Sequence, residues 1–309
     1  MRQPSIVLGA IYTTLAMTVV VLMASIVKWA SHGFSSEFLM LVRWGTGLAV
    51  FVVLYLLTRR TSRVNFRTSR WLTQSGVAIC WTAAVFLYYL SVRHIPLMDA
   101  TLLLNTSALF APLLAFVFTG QREPPLVWAG LAIGFIGVLI VLRPGPEMFQ
   151  PMALVALASG WLMAMRIFLL SRLGDEPKQR TTFYSLAVGL GVILLLLAGT
   201  GFPIARPDWE EMLFTPSEMF QPLLVDTALI AAVVILGVMS LLQPLLTAWS
   251  LDYASVGQIG PFRYTAVVIA AFMDWLVWNQ LPTWSSISGL LLIGFGGILV
   301  VFASRQIRS

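Results

Sequence analysis

The sequence predicts an all-α, polytopic membrane protein of ten transmembrane helices arranged as two inverted five-helix repeats. Three observations carry this. First, the 309 residues are 59% hydrophobic and only 10% charged, with a mean hydropathy of +0.88. A soluble domain carries roughly 25% charged residues on its surface, so a chain this poor in charge needs lipid as its solvent. Second, apolar runs of about 20 residues, the length that crosses the hydrocarbon core, recur along the whole chain. Third, the end of the second half echoes the end of the first.

The first run, 6–29, follows Met1-Arg2-Gln3-Pro4. It is too long for the apolar region of a signal peptide and no small-residue cleavage site follows it, so it reads as a retained helix. The second run, 36–57, ends at the basic stretch Arg59 to Arg70, and the third covers 71–91. The fourth, 98–118, stops at Gln121-Arg122-Glu123-Pro124-Pro125. The fifth, 124–142, is closed by Arg143-Pro144-Gly145-Pro146, and the sixth, 151–170, by Gly174-Asp175-Glu176-Pro177-Lys178. Runs at 181–201, 224–250, 256–277 and 284–302 complete the ten. Gln243-Pro244 interrupts the eighth as a hinge or a kink, and Gly260-Pro261 lies early in the ninth, where it is expected to break the helix. The runs are continuously apolar instead of alternating, which argues against a β-barrel.

Basic residues set the orientation. With the N-terminus inside, twelve of the 19 Lys and Arg residues fall on the cytoplasmic side, including Arg59, Arg60, Arg63, Arg67 and Arg70. Only Lys28, Arg93, Arg143 and Arg206 fall outside, and Arg43, Arg166 and Arg263 lie within spans. The bias places both termini in the cytoplasm of a bacterial inner membrane. It also makes the net charge of +6 a topology signal and not a nucleic-acid surface. The lone cysteine, Cys80, excludes an intrachain disulfide or a CxxC redox motif. The segment 202–223 is acidic, and Asp208 is placed to cap a short surface helix from Trp209 to Phe214; an ordinary loop is the alternative.

A shift of 159 residues lays Leu97–Gly137 over Val256–Gly296, matching Thr106 with Thr265, Gln121 with Gln280, Gly130 with Gly289 and Gly137 with Gly296. Repeats of five spans each, residues 1–145 and 146–309, would have opposite orientations, because an odd number of crossings inverts the second. Secondary transporters are commonly built this way, with the site between the halves.

Ser25-Ile26-Val27-Lys28-Trp29, Leu41-Val42-Arg43-Trp44 and Tyr88-Tyr89-Leu90-Ser91 come early in the first half. They are followed by Ile95 to Ala100, Leu109-Phe110-Ala111-Pro112, and a glycine-rich fifth span ending at Val141-Leu142-Arg143-Pro144. With the echo from Asp252-Tyr253-Ala254-Ser255 to Gly294-Phe295-Gly296-Gly297, the chain resembles the EamA-type exporters of the drug/metabolite transporter superfamily over nearly its whole length. It departs from their pattern where Gly-Glu usually follows the fourth and ninth spans: here Gly120-Gln121 and Asn279-Gln280 lack the acid. Ala271 also stands where the ninth span usually has a proline. The resemblance implies a central cavity lined by spans 1–4 and 6–9, with spans 5 and 10 peripheral. The Gly130–Gly134 pair then serves packing within one chain, leaving a monomer, or forms a homodimer face through spans 5 and 10.

Ionisable groups in hydrocarbon are expensive and are functional candidates by default. Arg43, Asn105, Tyr88 and Tyr89 lie at similar depth in the outer half, and Asp274 is expected to pair with Arg43, to carry a coupling ion, to lock spans 9 and 2 together, or to sit at the wet interface. Arg263 and Tyr264, after Gly260-Pro261, are further candidates; Arg263 has no acid at its depth and meets either a substrate carboxylate or phosphate or a helix C-terminus. Gln243 lies at comparable depth, and Trp161, Trp81 and Trp44 fall inside spans, where they either pack or line an aromatic cavity. Lys28 and Arg166, near span ends, read as snorkelling. No P-loop, HExxH or GxSxG occurs, so no cofactor, metal or enzyme activity is expected. The expected function is a secondary transporter, an exporter of amino acids, amines or drug-like compounds by alternating access, with or without proton exchange. An importer of a vitamin, nucleoside or adenosyl compound is the alternative. A membrane enzyme or lipid-handling scaffold is a third, and it lacks a cluster of acid, base and nucleophile at one depth.

Overall fold

The computed structural model describes residues 5–31, 36–58, 66–120, 124–142, 151–173, 176–199, 227–254 and 260–305. Among them every regular element is helical and no strand occurs. The helices are α1 (Ile6–Ala30), α2 (Ser36–Thr58), α3 (Trp71–Val92), α4 (Leu97–Asn105), α5 (Ser107–Thr119), α6 (Pro125–Leu142) and α7 (Pro151–Ser171). They continue with α8 (Lys178–Gly199), α9 (Thr227–Tyr253), a 3-10 turn (Gly260–Tyr264), α10 (Thr265–Trp278) and α11 (Trp284–Arg305). With α4 joined to α5 and the turn joined to α10, these form ten segments in chain order. Segments 1 to 7 are each long and apolar enough to cross a membrane, and among the described residues shorter apolar helical stretches cover Val234–Thr247 in segment 8 and Trp284–Val300 in segment 10. The acidic segment 202–223, with its suggested Asp208 cap, lies outside the described residues.

Two of the ten runs are not the continuous helices the hydropathy suggests. In segment 4, α4 ends where Thr106 donates its hydroxyl to the Leu103 carbonyl (2.5 Å) and Asn105 donates its amide to the Thr101 carbonyl (2.8 Å). Such back-bonding competes with the helical ladder, and Pro112 further on has no N–H to offer. In segment 9 the Gly260-Pro261 pair opens a 3-10 turn, and α10 begins only at Thr265. Segment 8, by contrast, runs as one helix through Pro244.

The breaks recur at a fixed interval. Thr106 and Thr265, at the two junctions, are 159 residues apart. So are the starts of α6 and α11 at Pro125 and Trp284, and so are the left-handed caps Gly120 (φ 66°) and Asn279 (φ 52°). Gly and Asn are the residues that adopt this conformation most readily, so the positions where an acid usually follows are helix stops in this chain.

Packing joins early segments to late ones. α6 lies against α11, α3 against α7, α1 against α9, α2 against α8, and α4 against α10. Glycines set the α6–α11 approach: a Cβ on Gly296 would lie 2.5 Å from the Gly130 carbonyl oxygen, and one on Gly137 would lie 2.8 Å from Leu292 Cβ. The Gly130–Gly134 pair is thus used inside the chain, against α11 and Leu109. The core centres on α1, α2 and α4, where Val21, Met23, Val27, Leu39, Leu102 and Leu103 are fully buried. The outer faces carry bare leucines such as Leu57 (73% exposed), Leu195 (73%) and Leu291 (67%), which only a lipid solvent tolerates in such density.

The basic end is tied by polar contacts between α3, α7 and α8. Arg70 donates to the Arg172 and Leu173 carbonyls (3.0 Å each), closing the C-terminus of α7. Thr68 donates to Glu176 (2.9 Å), and Arg180 both bonds and pairs with it. Burial pushes the Glu176 carboxyl up, but the hydrogen bonds from Thr68 and Arg180 and the charges of Arg180 and Arg70 outweigh it, leaving its pKa lowered. A carboxylate with a depressed folded-state pKa contributes stability above its unfolded pKa and loses it as pH falls through the folded one. The melting midpoint of the purified protein should therefore fall more between neutral pH and the carboxylate range than that of Glu176→Gln. Equal pH dependence in the two would show that this tie contributes nothing.

Candidate substrate site

At the end of the molecule opposite Arg70, a buried ion pair closes the bundle. Lys28, in the last turn of α1, places Nζ 2.9 Å from Asp274 Oδ1 on α10, and the two residues are 8% and 2% exposed. Asp274 Oδ2 accepts the backbone N–H of Met98 (2.8 Å), in the first turn of α4, and Lys28 Nζ lies 4.5 Å above the Trp278 ring. Asp274 therefore pairs with Lys28 and not with Arg43. The reason is the angle around the bundle: α1 packs against α10 and the chain turns out of both at the same level, so Lys28 reaches inward to a carboxylate instead of outward to headgroups. Beside the pair is a small recess with Pro96, Asp99, Asp274, Gln280 and Ser286 among its lining.

Arg43 turns to α3, donating to the Tyr89 hydroxyl (2.5 Å), with its guanidinium 5.7 Å from the Tyr89 ring and 5.6 Å from the Trp44 ring. Tyr89 is 1% exposed and Trp44 also 1%, so this arginine is held by aromatic faces, not by an acid. Tyr88 is committed elsewhere: its hydroxyl bonds Thr101 (2.8 Å) and ties α3 to α4.

Trp44 continues the chain of contacts. It meets Trp81 of α3 edge to face at 4.6 Å, and Trp81 in turn lies 4.4 Å beneath the guanidinium of Arg166 on α7. Arg166 does not snorkel. It is half-buried, its Nε has no partner among the described residues, and its Nη1 reaches only the Met163 sulfur at 3.8 Å. Arg43 and Arg263 both lie close enough for their charges to act on Arg166. Tyr264, beside Arg263 at the segment 9 break, has a buried hydroxyl with no partner among the described residues, set against Gly297.

The structure thus brings together Arg43, Tyr89, Arg263, Tyr264, Trp44 and Trp81 from the residues singled out in the sequence, and adds Arg166. It leaves others apart. Asn105 is consumed by its own helix through the Thr101 carbonyl, and Gln243 bonds Thr247 on α9 (3.2 Å). Trp161 is 42% exposed, on a stripe with Leu154, about 140° around α7 from Arg166 at 100° per residue. The two site residues that the sequence reads as snorkelling, Lys28 and Arg166, carried one available signal: each is a cation within an apolar run.

Comparisons with known proteins agree with this architecture. The model of the EamA-like transporter family matches residues 7–143 and 150–302. The chain is 25% identical over 294 residues to a pseudopaline exporter, CntI, of Pseudomonas aeruginosa strain UCBPP-PA14, covering 92% of this chain and 93% of that one. It is 25% identical over 280 residues to an S-adenosylmethionine uptake transporter of Rickettsia bellii (90% and 87%). A riboflavin transporter of Vibrio cholerae serotype O1 is 24% identical over 279 residues (89% and 86%). One solved crystal structure superposes with a TM-score of 0.60 at 17% identity, covering 99% of each chain, a likeness of fold alone.

Proposed function

The chain belongs to the EamA-like transporter family, and from that premise we propose that it is a secondary transporter that exports a small metabolite by alternating access across the inner membrane. Two five-segment halves, residues 1–145 and 146–309, rock about a polar gap between them, with both termini in the cytoplasm. The observation that carries this reading is the facing pair of interrupted segments: α4 packs against α10 and the adjoining 3-10 turn, and the two breaks stand 159 residues apart. Discontinuous helices at corresponding places in two halves are where transporters of this kind expose backbone and polar groups to a substrate. The contacts support the same halves. Exchanging each segment with the one five places away turns the α1–α9 contact into α7–α3, and leaves α2–α8 and α6–α11 unchanged. The two stretches matched by the family model fall on either side of the boundary.

In this cycle the Lys28–Asp274–Met98 cluster is the latch of the outer face. Asp274, the carboxylate of that latch, is also the candidate for the coupling ion. Import is the second reading, and the S-adenosylmethionine uptake transporter among the relatives favours it.

Proteoliposomes containing the purified protein, loaded or bathed with candidate compounds in the presence and absence of a pH gradient, test both. Transport of at least one compound above the rate of empty vesicles is expected, with the direction of the imposed gradient separating export from import. Rates equal to those of empty vesicles across the whole set would remove the proposal.

A further inference from the structure

Among the described residues, one region of the interior, around the Trp44–Trp81–Arg166 stack, is rich in unmatched donors and poor in acceptors. Three arginines reach it from α2, α7 and the segment 9 turn, and no carboxylate bonds any of them among the described residues. The buried carboxylate nearest in depth, Asp274, already serves Lys28 and the Met98 N–H. Around the arginines the Arg166 Nε, Trp44 Nε1, Thr82 Oγ1 and Tyr264 hydroxyl are buried without a partner among the described residues. Trp44 and Thr82 approach the same point on α8, the position a Cβ on Gly189 would occupy. Each such group costs free energy until something accepts from it.

The electrostatics point the same way. Like charges in a low-dielectric interior repel strongly, so three guanidinium groups near one another are a costly arrangement unless an anion completes it. Aromatic faces hold two of them, Arg43 by Trp44 and Tyr89 and Arg166 by Trp81, which fixes the planes while using few of the N–H donors, Arg43 Nη1 on the Tyr89 hydroxyl and Arg166 Nη1 on the Met163 sulfur. The three are also staggered in depth. Arg43 is seven residues into α2, about 10 Å along the helix from the latch end. Arg166 is five residues from the far end of α7, about 8 Å, and Arg263 is in the turn that opens segment 9 at that same end.

We propose that the transported substrate is an anion presenting carboxylate or phosphate oxygens, and that Arg43, Arg166 and Arg263 are successive stations that bind those oxygens. The inference rests on the transporter reading and narrows it: amines and other cations would meet like charge, while a planar or tetrahedral oxyanion accepts from a guanidinium fork at two atoms.

The test is a binding measurement that does not depend on transport. The full-length protein in detergent is titrated with citrate, phosphate or glutamate, and with putrescine, at matched ionic strength in chloride, and the melting midpoint is followed. At least one oxyanion should raise the midpoint saturably and putrescine should not, since a ligand that binds only the folded state stabilises it by mass action. Arg166→Gln and Arg263→Gln should each weaken the apparent affinity by about 10-fold or more. Arg166→Lys should restore part of it, and Arg172→Gln, at the rim, should leave it unchanged; Arg166→Lys and Arg263→Gln keep the test usable if Arg166→Gln does not fold. The proposal is overturned if none of the three oxyanions shifts the wild type, if both glutamine variants bind as the wild type does, or if putrescine is the ligand. Oxyanion binding in this pattern with no flux into any vesicle would sink the transport reading and leave the anion site standing.

Discussion

Replacing Asp274 with alanine is expected to destabilise the folded protein by about 3–5 kcal/mol, the cost of leaving one member of a buried ion pair behind. Two groups lose their partner at once. Lys28 is 8% exposed, and with the carboxylate gone its ammonium keeps only the Trp278 face 4.5 Å away, worth about 2 kcal/mol when desolvated. The Met98 N–H, in the first turn of α4, loses its acceptor as well, and α4 has no side-chain cap from Pro96 to replace it. Asp274→Asn separates the two: its amide oxygen still accepts from Met98, but Lys28 is left uncompensated, so its loss should be smaller than that of alanine. In Lys28→Ala/Asp274→Ala neither charge remains to be left alone, so the double variant should be less destabilised than the sum of the singles. Denaturation of the detergent-solubilised variants, followed by retention of the monodisperse peak on size exclusion, reads all four. An Asp274→Ala protein as stable as the wild type would mean that Lys28 finds other partners and that the latch is no more than a surface contact.

The same pair marks the limit of what the sequence made legible. The apolar runs located the segments, because twenty residues without charge admit one interpretation in a chain so hydrophobic. Even the repeat register, which matched Thr106 with Thr265, falls on the two places where the helices break. Partner choice was not legible in the same way. Asp274 and Arg43 were joined because both are ionisable and both lie in one half of the membrane. The real partner, Lys28, stands 246 residues away on α1, where the sequence alone reads it as a snorkelling side chain. Depth along a helix is a one-dimensional quantity that a sequence supplies; the angle around the bundle, which decides whether α1 or α2 faces α10, is not. Trp161 and Arg166 show the same limitation on one helix. Both are internal to segment 6, and only the rotation of α7 shows that Arg166 stacks on Trp81 while Trp161 is exposed.

Gly160→Ala should be the most damaging single methyl group that can be added to this protein, and the reason lies in the segment 4 break. A Cβ at Gly160 on α7 would stand 2.4 Å from the Leu103 carbonyl oxygen and 2.6 Å from Thr106 Oγ1. The first of these is backbone, and it already accepts the Thr106 hydroxyl, so it cannot swing aside as the tip of a side chain would. The methyl must push α7 away from α4, at an expected cost of about 1–3 kcal/mol or more for overpacking. Gly296→Ala meets the same obstacle in the Gly130 carbonyl at 2.5 Å and the Gly134 nitrogen at 2.7 Å, and should behave alike. Gly191 and Gly294 provide the contrast. They lie in helices α8 and α11 with nothing within 4 Å of the added atom, and alanine there should be neutral or stabilising by up to about 1 kcal/mol through helix propensity alone. All four substitutions add one methyl group to a helical glycine, so composition and hydropathy predict four equal outcomes and only close backbone approach predicts two losses and two gains. Melting midpoints of the four variants decide between these, and a Gly160→Ala protein that melted with Gly294→Ala would show that α7 and the broken segment 4 do not meet at that point.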